Sequence, residues 1–260
     1  MKKLFLLTAL LAVTLFTSCQ KEEINPDAGQ AKVIFSVEVP SSPITKAIGN
    51  GYTEINDLVY AVYTTPYSSE EEAFLNLDQA VPFYQKNYAE NEIAFAEGKT
   101  NVEIELLNGQ NYIILFWAQN QDAWFKDDKF DLMNVTYPEG IKSNSLNLAA
   151  FSGKTFVPSV SGAISKKITL TRPCAQINLG TIKDNKIHSL LDFNTFKSSV
   201  TVKNAGTSFN VAKDKVNDDC VADVTFGDAP IADESFVVDG KEYKYLAMNY
   251  VFVDGPVDVD

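Results

Sequence analysis

The chain has 260 residues, with 34 acidic against 22 basic side chains and a formal net charge of −12. Arg172 is the only arginine, so the basic clusters and bidentate groups of a nucleic-acid binder are missing, and nucleic acid is excluded as a partner. An acidic surface also fits a body that does not lie flat on anionic lipid.

Lys2 and Lys3 precede an apolar run from Leu4 to Phe16. A membrane-spanning helix needs about 20 such residues, so residues 1–18 read as a secretory signal peptide and not as a lasting span. Thr17-Ser18-Cys19 at its exit resembles a bacterial lipobox, with Phe16 where that pattern prefers Leu. The resemblance implies a diacylglyceryl group on Cys19, which becomes the first residue once the leader is cut away. The alternative is a secreted protein with an accidental cysteine. Each buried methylene contributes about 0.8 kcal/mol to membrane residence, so two or three chains make an effectively permanent anchor. Lys21, Glu22 and Glu23 then resemble the surface-export signal of Bacteroidetes lipoproteins, which implies display on the outer face of the outer membrane. Read as residues alone, they are a charged linker. Residues 19–30, with Pro26, Asp27 and Gly29, form a tether.

Beyond the tether the patterns are those of strands. "AKVIFSVEVP" alternates, with Val33, Phe35, Val37 and Val39 on one face, and stops at Pro40. It predicts a strand with one buried face. "INDLVYAVYT" predicts a second strand. Ser68 with Glu71 forms a capping-box pattern for a short helix limited by Pro82. In "NVEIELLNGQNYIILFWAQ", Asn108-Gly109 predicts a tight hairpin between two strands. The second of these, Tyr112–Trp117, is apolar throughout and predicts a central strand covered on both faces. Residues 119–145 read as loops with a short strand or turn. Strand patterns resume at Val157–Val160 and at "KKITLTRPCAQINLGT", where Pro173 predicts an edge or a bulge. "SSVTVKN", "VADVTF", "SFVVDG" and "EYKYLAMNYVFVDG" follow as further strands. The fold class is mostly β, as sandwiches.

Chemistry is sparse. His188 is the only histidine, so no multi-histidine metal site and no HExxH motif exist. No metal ligand set and no cofactor are predicted. Asp122, Asp127, Asp128 and Asp131 are oxygen ligands of the kind Ca²⁺ takes, but they lack EF-hand spacing and read better as an exposed charged loop. Cys174 and Cys220 either pair outside the cytoplasm or stay as free thiols; spacing does not decide. Trp117 reads as core packing. Trp124, in a polar loop, is the surface candidate for stacking on a ligand. No catalytic residue set appears, and an enzyme is not predicted.

Four stretches carry a wider resemblance: "SCQKEE", "AKVIFSVEVPSSPITKAIG", "LLNGQNYIILFWAQN" and "ITLTRPCAQINLGT". In this order and spacing the chain resembles the fimbrillin-like lipoproteins of Bacteroidetes. The resemblance implies two transthyretin-like, Greek-key β-sandwich domains, over residues 31–170 and 171–260. In polymerising members a protease cuts the loop after the first strand, that strand leaves, and another subunit's strand fills the slot. Here the departing strand is Lys32–Val39 and the matching cut falls between Lys46 and Ala47. Shaft subunits usually have arginine at that point, so lysine leaves an uncleaved anchor or accessory subunit open. The second sandwich is expected to be incomplete, since the pattern stops soon after "NYVFVDG". The implied function is non-catalytic adhesion and assembly, with other fimbrial subunits or host and bacterial surface ligands as partners and the membrane reached only through the lipid. The rival reading is a monomeric surface lipoprotein that binds a glycan or a host protein through its loops, Trp124 among the contacts.

Overall fold

Alternation of apolar and polar residues builds the first sheet. In β1 (Gln30–Glu38), Ala31, Val33, Phe35 and Val37 are buried while Lys32 and Ile34 face outward. The computed structural model describes residues 29–40, 55–77, 81–88, 92–182, 195–231, 235–253 and 258–259. Through residue 169 the elements are β1, β2 (Asp57–Thr65), α1 (Glu70–Leu75), β3 (Tyr84–Asn87), β4 (Lys99–Leu107), β5 (Asn111–Gln119), β6 (Val135–Thr136), β7 (Ala150–Val157) and β8 (Ile164–Thr169). After Pro173 come β9 (Ala175–Ile182), β10 (Lys197–Gly206), β11 (Ser208–Asn210), β12 (Lys215–Val216), β13 (Val221–Pro230), β14 (Ser235–Val238), β15 (Lys241–Val251) and β16 (Asp258–Val259).

The first sandwich has a three-stranded sheet in the order β4-β1-β8 and a four-stranded sheet in the order β3-β2-β5-β7. β1 runs antiparallel to β4 and parallel to β8. The inner faces meet in one core of Val33, Phe35, Val37, Val102, Ile104, Tyr60, Ile114 and Phe116 with their neighbours. Strand β4 alternates buried and exposed along its whole length, so only one face is covered. Strand β5 is buried from Tyr112 to Gln119 because its second face also has a cover. Ile113, Leu115 and Trp117, with Val59, Ala61 and Tyr63 of β2, pack against Phe209, Tyr245, Met248 and Phe252 of the later strands. The expectation of a strand covered on both faces holds.

Past Pro173 there are two smaller sheets, β14-β15-β9 and β13-β10-β16, around a short core of Val200, Val202, Val224, Phe226, Ala247 and Val251. A third sheet, β12-β11-β6, ties the later strands to Val135–Thr136 in the long loop after β5. The mostly β, sandwich-type architecture is the one expected.

Four local expectations are corrected. Asn108-Gly109 does not close a hairpin: β4 and β5 lie in different sheets, and the turn is an arch between layers. Gly109 has the positive φ foreseen, 77°, but its N–H goes to the Val160 carbonyl at 2.7 Å and the Asn108 N–H to that of Gly29 at 3.0 Å. The helix cap is Ser69, not Ser68: its hydroxyl accepts from the Glu72 N–H at 3.3 Å and donates to the Glu72 carboxylate at 2.9 Å. This register puts Glu70, Glu71 and Glu72 in the first turn, where the helix dipole favours negative charge. The strand expected at Val157–Val160 is Ala150–Val157 and ends before Pro158. Pro173 sits in no strand; it separates β8 from β9, which belong to different sheets.

Candidate functional site

The feature with the clearest functional potential is the seat of β1. A central strand is held on two sides, and both sides are visible here. The ladder to β4 runs from Gln30↔Leu107 to Glu38↔Lys99, and that to β8 from Val33↔Ile164 to Glu38↔Thr169. At the strand's far end the Val39 N–H reaches the Gly98 carbonyl at 2.7 Å, and the Glu38 carbonyl accepts from Leu170 N–H at 2.8 Å.

Charge repeats this two-sided clamp. The Glu38 carboxylate lies 2.8 Å from Lys99 Nζ of β4 and 2.6 Å from Lys167 Nζ of β8. The Lys167 and Lys99 ammonium groups hold its pKa below the usual glutamate value. At the other end Lys32 Nζ meets Glu103 at 2.5 Å. Beneath the strand Phe35 packs edge-on against Phe116, with centroids 5.5 Å apart. Were β1 absent, its seat would be an apolar trough between two unpaired strand edges.

Cys19, Lys21, Glu22, Glu23, Lys46, Ala47 and His188 lie outside the described residues. Trp124 is among the described residues and is not at the surface: it is only 8% exposed. Its ring meets Trp117 edge-on at 5.2 Å and Phe252 at 5.4 Å, and its indole N–H donates to the Leu148 carbonyl at 3.3 Å. The loop is polar because its carboxylates fold back onto backbone N–H groups while its aromatic residues turn inward. Asp127 accepts from Lys129 N–H at 2.7 Å, Asp128 from Asn87 N–H at 2.6 Å and Asp131 from Met133 N–H at 2.8 Å. Asp127 and Asp131 serve their own turns, Asp128 ties the loop to the end of β3, and each has a separate backbone partner. Among the described residues no three of His, Cys, Asp and Glu gather as a metal-holding group. Cys174 and Cys220 are free thiols, and burial pushes that of Cys174 far up. No helix among the described residues is long and apolar enough to cross a membrane.

Phe83, Tyr84 and Glu105 line a cleft at the seam between β3 and β4, and the sequence reading does not single them out. The available signal was the apolar stretch Val81-Pro82-Phe83-Tyr84, too short of partners to be core on all sides.

A family model described as "Family of unknown function (DUF6562)" matches residues 25–259. The chain belongs to this family. A comparison with curated proteins gives no match. Among solved structures, the DUF6562 chain is similar to a candidate adhesin from Bacteroides thetaiotaomicron, at 12% identity over 89% of this chain and 76% of that one, with a TM-score of 0.54. A fimbrial assembly protein from Parabacteroides distasonis is 15% identical over 87% and 78%, with a TM-score of 0.42. The fimbrial anchor protein Mfa2 from Porphyromonas gingivalis is 9% identical over 88% and 78%, with a TM-score of 0.45. At 12% identity the likeness to the adhesin structure is one of fold.

Proposed function

We propose that this DUF6562 protein is a non-catalytic, lipid-anchored surface subunit of adhesion, joined to others of its kind by exchange of β1. The observation that supports it is the position of β1, inside its sheet and bonded on both sides, with five buried apolar side chains counting Val39. Val33, Phe35, Val37 and Val39 together contribute about 6–12 kcal/mol of burial, which is of the same order as the whole stability of a typical domain, about 5–15 kcal/mol. A seat of that depth is not left empty. A strand that departs has to be replaced, and a strand from another subunit restores both ladders and the core at once. Cys19 anchors the chain, Lys21, Glu22 and Glu23 direct it outward, and a cut between Lys46 and Ala47 frees β1.

The test is made on surface material sheared from intact cells and run without boiling, with sequencing of the N-terminus. High-mass ladders of chains beginning at Ala47 are expected. A monomer found only in membranes and still beginning at Cys19 would refute strand exchange and leave the anchor role. Cys19→Ala is expected to release the protein from the outer membrane; a variant that stays membrane-bound would refute the lipid anchor.

A further inference from the structure

Among the described residues the first sandwich is open between the edge strands β3 and β4. Strand β3 has four residues and β4 has nine, and each is the terminal strand of its sheet. The short strand leaves part of the long one without a counterpart. Tyr88, Ile93 and Phe95, downstream of β3, pack against the core and close one stretch of the seam. What remains is a cleft of about 480 Å³ walled by Tyr60, Phe83 and Tyr84 on one side and by Glu103 to Glu105 on the other, with Gln30 at its rim.

The walls are of two chemistries. Phe83 is 55% exposed and Tyr84 47%, which is unusual for adjacent aromatic residues on a folded surface. Tyr84 leans on the buried Tyr60 ring at 5.9 Å and Phe83 on Tyr112 at 6.3 Å, so both rings are propped in place. The other wall carries two acidic residues, Glu103 and Glu105. Glu103 is held by Lys32; Glu105 makes no ion pair among the described residues. Among the described residues no lysine or arginine lines the cleft itself; Lys32, cross-strand from Glu105 and paired with Glu103, stands beside it and leaves the two carboxylates a net negative charge. The outer backbone edge of β4 is closed at Lys99 by Ala96 and at Leu107 by the Tyr112 hydroxyl, and among the described residues no strand pairs with it between them.

We propose that this cleft is a binding site for an organic cation, the ammonium or guanidinium group of a lysine or arginine side chain on an extended peptide. Aromatic faces attract such a group, and a carboxylate adds a charge-assisted hydrogen bond. A net charge of −12 draws cationic partners to the molecule. Anions are repelled by Glu105, and a neutral sugar would use the rings but gain nothing from the charge. The unpaired stretch of the β4 edge gives the peptide backbone its own partner while the side chain enters the cleft. The site adjoins the seat of β1, since Gln30 of that strand lines it and Lys32 pairs with Glu103, and its test does not require strand exchange.

The experiment is calorimetric titration of the full mature chain with tetralysine, spermidine, tetraserine and maltotetraose, repeated on Glu105→Gln, Glu105→Lys, Tyr84→Ala and the double variant E105Q/Y84A. These positions are exposed, and near-ultraviolet circular dichroism checks that the fold is kept. Tetralysine is expected to bind and tetraserine not. The double variant E105Q/Y84A should weaken binding by about tenfold, equivalent to about 1.4 kcal/mol, and Glu105→Lys should abolish it. Raised salt should weaken it further. Equal tetralysine binding by the variants, or no binding at all, would overturn the site. Spermidine binding without tetralysine binding would overturn the peptide and leave a free amine as ligand. Preference for maltotetraose would overturn the cation.

Discussion

Replacing Phe35 by Ala tests the register on which the seat of β1 depends. Phe35 is fully buried at the centre of the strand and packs edge-on against Phe116. A large aromatic cut to Ala in a core loses about 3–5 kcal/mol through lost transfer energy and the cavity left behind. Loss of the aromatic pair accounts for about 0.5–1.5 kcal/mol, so the upper half of that range is expected. Ile34, its neighbour, is 38% exposed on the outer face, and Ile34→Ala should cost about 1 kcal/mol or less, mostly strand preference. The assay is urea denaturation followed by tryptophan fluorescence; Trp117, which lies on the other face of the facing sheet, reports loss of the adjoining core. A one-residue slip would exchange the two faces. Equal costs for the two variants, or a larger cost for Ile34→Ala, would refute the register and with it the described trough.

Trp124→Ala should cost about 3–5 kcal/mol in the same assay, because it empties a site enclosed by Trp117, Tyr137 and Phe252; a variant as stable as the parent would contradict its burial. Asp57 is buried, accepts from Gln119 Nε2 at 2.5 Å, and has its pKa raised chiefly by burial. A raised carboxyl pKa favours the folded state below the unfolded value, and this contribution is lost as pH rises through the folded one. Asp57→Asn should therefore raise the melting temperature at pH 7, with the gain shrinking as pH falls toward 4, as thermal melts across that range would show. Gly206→Ala places a methyl group 2.5 Å from Val216 and 3.0 Å from the Phe252 carbonyl; overpacking of this kind costs about 1–3 kcal/mol, and a neutral result by denaturation would mean the β10 to Phe252 contact is looser than drawn.

Local periodicity settled much of this molecule in advance. The alternation in β1 and the unbroken apolar run in β5 follow from how many faces of each strand are covered, and coverage leaves its mark on consecutive residues. Pro173 was expected as an edge or a bulge within one run, and instead it lies at the break between β8 and β9, where a residue without an N–H cannot continue a ladder. Partner choice is a different matter. Asn108-Gly109 permits a positive φ, which serves an arch between sheets as well as a hairpin. The contrast between one-faced β4 and two-faced β5 was the clue that they sit in different layers. Trp124 lies in a loop that reads as polar, but the loop's carboxylates are taken up by backbone N–H groups, two local and one from Asn87 of β3, while the ring turns inward. The cleft at the β3–β4 seam arises from residues more than forty positions apart, Tyr60 with Glu103 and Glu105. The sequence thus determined most of the longer strands and which of their faces are buried. The tertiary structure alone decided which strands pair, since pairing and the clefts between edges depend on long-range contacts that no run of neighbouring residues encodes.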